Sequence, residues 1–291
     1  MNKIVLFKPI YTNFIKSKFY YKFKYNKNFW LQLSKNENAI CVLEQHLDKI
    51  NWYNLSQNEA AISILEKNLD KINWFWLSQN KGVINILEQN LNKIDWNNLS
   101  LNESAINLLE QNQDKINWYN LSRNKNAIHL LEQNQNRINW NILSLNEGVL
   151  NLLDQNQDKI NWKELCKNEA AISILEKNQN KINWNILSLN KEAQHLLEQH
   201  LDKINWSNLS QNKNAIHLLE KHQDKINWCW LSQNENAIHL LEQNQDKIIW
   251  SRLCLNENAI HLERHQDKID WEVLANNKNI CELMCDLDYK K

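Results

Sequence analysis

The chain has 291 residues, with 34 basic and 34 acidic side chains, two glycines and one proline. Such scarcity of turn residues excludes β-rich folds and the Gly-rich loops that cradle phosphates. The net charge of zero hides a polarity: residues 1–29 hold seven lysines and no acid, leaving 27 basic against 34 acidic residues elsewhere. A weakly acidic body is a poor surface for wrapping DNA or RNA.

Residues 1–29 interleave those lysines with five of the six phenylalanines and four of the seven tyrosines. The segment is expected to cap the apolar face of the first repeat unit, or to serve as a basic aromatic arm for nucleic acid or an anionic surface. Its only apolar run, residues 4–7, is too short for a signal-peptide core, and no stretch is long enough to span a bilayer. Cys41, Cys166, Cys229, Cys254, Cys281 and Cys285 show no CxxC and no framework spacing. Reduced thiols are expected, and with them an intracellular, cytoplasmic location, the cytoplasm of a host cell included.

From Trp30 the sequence repeats. Trp30, Trp52, Trp74, Trp96, Trp118, Trp140, Trp162, Trp184, Trp206, Trp228 and Trp250 recur every 22 residues, and Trp271 comes after 21. Counted from this Trp, the unit reads W-x-x-L-S-x-N-x-x-A-I-x-L-L-E-x-N-x-D-K-I-N. Leu holds the fourth place and Asn the seventh in all twelve units. The fold expected is an all-α solenoid of twelve two-helix units over residues 30–284, with a polar tail at 285–291.

In the second unit the spacing predicts one helix over residues 59–67, with Ala61, Ile62, Ile64 and Leu65 on one stripe and Asn58 as its N-cap. Asn68 ends this helix or caps the next. A second helix is predicted over residues 69–77, with Asp70 near its positive end. Ile72 then projects almost opposite Trp74 and Leu77, so this helix is expected to be sandwiched between neighbours. Neither helix is stable alone in water, so stacking must hold both. A leucine-rich repeat shares the period but needs a buried strand residue where this chain has Tyr53, Asn97, Asn141, Lys163, Ser207 and Glu272.

The runs Asn126-Ala127-Ile128-His129-Leu130-Leu131-Glu132 and Asp114-Lys115-Ile116-Asn117-Trp118 resemble a short Trp/Asn repeat abundant in proteins of giant DNA viruses. In that family Pro commonly succeeds both Asn residues. Here Glu or Lys stands at the first of those places and Leu or Gln at the second. The resemblance covers residues 30 to about 285. It implies the helix boundaries, since Pro suits the first helical position after an N-cap Asn. It implies no activity.

Three places depart from the pattern. One Leu of the Leu-Leu pair is missing at residues 261–263, which should kink or loosen the stack. Gln194 stands where Ile is expected in the core. The tail after residue 285 becomes polar.

Chemistry is sparse. His129, His195, His217, His239 and His261 share one repeat place, and His200, His222 and His265 another. Neighbouring helices lie about 8–10 Å apart, too far for such a ladder to surround one ion. Cys281 and Cys285 lack a partner pair. The acids Glu44, Glu66, Glu88, Glu110, Glu132 and Asp154 are expected to pair with the recurrent Lys of the second helix. No catalytic residue, cofactor or metal site is expected.

The expected function is a non-catalytic scaffold for an unidentified protein partner. Alternatives are nucleic-acid or anionic-surface binding through residues 1–29, and a structural component with no discrete ligand. The variable pair after each Trp is the candidate partner surface, with Tyr53, Phe75, Trp76, Tyr119 and Trp230 as its aromatic members.

Overall fold

The computed structural model describes residues 27–256, together with Asn258 and Lys268. The expectations for the basic N-terminal segment, the shortened unit at 261–263, Cys281, Cys285 and the tail lie outside these residues. The chain divides into two compact units, Met1–Val149 and Leu150–Lys291. Both are all-helical among the described residues, with 21 α-helices, 3-10 turns between many of them and no strand. The leucine-rich-repeat alternative, which needs strands, is thereby excluded.

Apart from Lys27–Lys35, every α-helix has four to six residues. The first predicted helix starts later than expected. The side chain of Asn58 accepts the Ala60 N–H at 3.0 Å, while its carbonyl accepts the Ala61 N–H three residues on. This makes a tight first turn, and the α-helix proper is Ile62–Glu66. Ala61, Ile64 and Leu65 are buried, but Ile62 is 36% exposed. The stripe is therefore narrower than predicted. Gln194 occupies the Ile62 place and is half-buried, its amide donating to the Lys191 carbonyl at 3.4 Å, so no core Ile is lost there. Asn68 ends the helix: its Nδ2 donates to the Ile64 carbonyl at 2.8 Å.

The predicted second helix does not exist as one piece. A turn ends at Lys71, Ile72 leads out of it, and Asn73 takes up extended backbone (φ −85°, ψ 97°) to cap a new helix, Trp74–Leu77. Its Oδ1 accepts the Trp76 N–H at 3.2 Å, and its own N–H donates to Ser56 Oγ at 3.0 Å. A side chain that holds the N–H three residues ahead makes a helix start, so no helix can run through it. The break also removes the two-sided helix. Ile72 and Leu77 are both buried because each is turned inward from its own segment.

The seventh-place Asn does more than cap. Asn102 accepts the Ser104 N–H at 3.0 Å through Oδ1, while its Nδ2 donates to the carbonyls of Ser78 at 3.1 Å and Asn80 at 3.0 Å in the preceding repeat. Asn80, Asn124 and Asn146 repeat this in the first unit, and Asn190, Asn212, Asn234 and Asn256 in the second. All are buried, and each amide finds its acceptors in carbonyls of the preceding repeat. Beside this seam runs the fourth-place leucine, fully buried from Leu55 to Leu143 and from Leu165 to Leu231.

Candidate binding surface

The two residues after each Trp are not equivalent. The first of them points out: Tyr53 and Phe75 are each 49% exposed and Tyr119 is 47% exposed. The second lies against the preceding repeat. Where it is Asn, its Nδ2 donates to a carbonyl 23 residues back, Asn54 to Leu31 at 2.9 Å, Asn98 to Phe75 at 2.9 Å and Asn208 to Asn185 at 2.7 Å. Trp76 and Trp230 hold this same place and are half-buried.

Three of the five candidate residues come together. Trp76 makes edge-to-face contacts with Tyr53 at 5.3 Å and Phe75 at 5.1 Å between ring centroids. Tyr119 is engaged by Arg123 instead, whose guanidinium lies 5.3 Å from the ring and whose Nη2 donates to the phenol at 3.3 Å. Trp230 belongs to the other compact unit, where the Arg252 guanidinium covers its ring at 5.0 Å.

Each of these two tryptophans lines a groove. In the first unit Trp76, Gln57, Gln79, Glu59, Lys81 and Glu103 enclose about 360 Å³. In the second, Trp230, Gln211, Gln233, Lys213, Glu235 and Leu255 enclose about 290 Å³. The Trp and Gln places of the two linings correspond, whereas Lys213 and Glu235 stand at the places of Glu59 and Lys81. In both, a lysine meets a glutamate of the next repeat, Lys81 with Glu103 and Lys213 with Glu235, each at 2.6 Å. The hydrogen bond that Lys81 donates to Glu103 raises its ammonium above the ordinary value.

The recurrent Lys of the predicted second helix does not face the acidic ladder. It lies over the first-place Trp of its own repeat: Lys71 over Trp52 at 5.3 Å, Lys93 over Trp74 at 5.0 Å, Lys115 over Trp96 at 4.7 Å and Arg137 over Trp118 at 4.5 Å. Lys181, Lys203 and Lys247 do the same in the second unit. An indole under a cation keeps one face near water, and most of these tryptophans are half-buried; Trp30 and Trp118 are the buried ones among the described residues. Sequence reasoning misses the pairing because the aromatic and the cation stand 19 residues apart. Their recurrence at fixed places is the available signal.

Members of the acidic ladder meet the next repeat, most at its histidine place, and Asp154 instead at Lys177, 3.1 Å away. His217 binds Glu198 at 2.6 Å, His239 binds Glu220 at 2.5 Å, and Ser63 donates to Glu44 at 3.0 Å. The bond from His217 holds the Glu198 carboxyl below its ordinary value. His129 and His195 face Gln133 and Gln199 of their own helices. His200 and His222 lie beside Trp184 and Trp206, with centroids 4.6 and 5.2 Å apart. Among the described residues no three His, Cys, Asp or Glu side chains gather to hold a metal ion, and no helix is long and apolar enough to cross a membrane. Cys166 replaces the usual Ser and is buried, which pushes its thiol up.

No family model, curated protein or solved structure matches the chain.

Proposed function

We propose that this protein is a non-catalytic scaffold for protein–protein interaction, built as an α-solenoid of twelve repeats and working inside the cell. The observation that carries the reading is the split between the two residues after each Trp. The inner one is drawn into contact with the preceding repeat, whereas the outer one is exposed in most copies, varies between them and includes three large aromatics. Where the outer residue is Asn or Ser it accepts a hydrogen bond from the next repeat, as Asn97 does from Asn117 and Ser207 from Asn227, whereas no such bond fixes an aromatic there. Tyr and Trp at such sites are the residue types that dominate interface energetics. The resemblance to the Trp/Asn repeats of giant DNA viruses belongs to the same reading.

The test replaces Tyr53, Phe75, Trp76 and Tyr119 together with Asn or Ser, residues that other copies carry at these places. The quadruple variant should keep its helical circular dichroism and lose capture of its cellular partner. A folded variant with unchanged capture would overturn the assignment of these residues. Binding of nucleic acid through residues 1–29 is the second reading, supported by their charge; a steep fall of affinity with salt, abolished by deleting them, would favour it.

A further inference from the structure

We propose that the groove lined by Trp76 is a receptor for an arginine side chain of the partner protein. The inference rests on the scaffold reading above and gives its partner a chemistry. A groove beside a half-buried Trp is present in each compact unit, and the two differ in what covers the ring. Over Trp230 lies the chain's own Arg252, 5.0 Å from the ring centroid. Over Trp76 there is no cation among the described residues. The place that Arg252 holds in its repeat is taken here by Asn98, whose amide is turned to the Phe75 carbonyl.

In the groove of Trp76, Lys81 is bound to Glu103, and Glu59 is a further carboxylate in no ion pair among the described residues. This groove thus carries a net negative charge beside an aromatic ring, while the ring of Trp230 already has its cation. A planar, weakly hydrated guanidinium suits this place better than an ammonium, because it can stack on the indole while its N–H groups reach a carboxylate. The glutamines, Gln57 and Gln79, line the same groove with further hydrogen-bonding groups.

The experiment uses the full chain with ¹⁵N-labelled tryptophan and a blocked Gly-Gly-Arg-Gly-Gly peptide at millimolar concentration and low salt. One indole signal should shift saturably, and Trp76→Asn should remove that signal and weaken binding about tenfold. The same peptide with citrulline for arginine should give no saturable shift. Arg252→Asn should add a second responding indole, that of Trp230, and this arm does not depend on any change at Trp76. An equal response to citrulline, binding unchanged in Trp76→Asn, or no new response in Arg252→Asn would overturn the proposal. If Trp76 ignores the peptide while the quadruple substitution still abolishes partner capture, the arginine site falls and the scaffold reading stands. If Trp76 binds the peptide and capture survives the quadruple substitution, the scaffold reading of those residues falls instead.

Discussion

The Ser-x-Asn seam and the residue after each Trp lie within a few positions of each other in every repeat, yet they answer to opposite demands. At the seam the residues are nearly identical, polar and buried, and the Asn side chains are bonded to the preceding repeat. At the outer place the residues vary from Tyr to Asn to Lys and face water. In a structure made of four- to six-residue helices, stability comes from neighbours, so residue identity is fixed where repeats meet. Polar character alone does not mark the surface here, since the seam is polar and buried.

The largest effect should come from the seam. Asn102→Ala strands two buried carbonyls and removes a cap, and should cost about 3 kcal/mol in urea denaturation. A loss below about 1 kcal/mol would mean that the amide clamp is incidental.

A gain of about 1 kcal/mol should result from Ile249→Asn. Ile249 stands where the other described helices that begin at a Trp have an Asn or Asp cap, and it makes no side-chain capping bond. Unchanged thermal stability would count against the capping account of the helix break.

Lys115→Met keeps the aliphatic stem over Trp96 and removes the charge. It should cost about 0.5–1 kcal/mol, with the loss retained at high salt because the ring lies directly beneath the cation. At the outer place Tyr119→Asn should change stability by less than about 0.5 kcal/mol, which is the contrast that the comparison demands.

The smallest effect concerns protons. Glu198 is held below its ordinary value in the folded chain, so it favours folding above the pKa of the unfolded chain. That contribution is lost as pH falls through the lowered folded value. In His217→Asn the Glu198 side chain should titrate closer to its ordinary value by NMR. An unmoved titration would show that the lowering does not come from His217.

The 22-residue period, the buried Leu ladder, the helix after Asn58 and the outward place of Tyr53 could be read from sequence because each depends on contacts within a few residues or on simple recurrence. The N-cap bond of Asn58 reaches only two residues ahead, so composition and spacing reveal it. The second role of these asparagines could not be read in that way. A donor that meets carbonyls 22 and 24 residues back exists only once one repeat lies against another. The break at Asn73 depends on a distant partner within its own repeat, since its cap geometry is completed by Ser56, 17 residues earlier. So does the placing of Lys71 over Trp52 rather than beside Glu66. Sequence determined which residues recur and which local helices they start; tertiary structure decided where their side chains end, because those partners are distant in the chain and come within bonding distance only when each repeat closes on itself and lies against its neighbour.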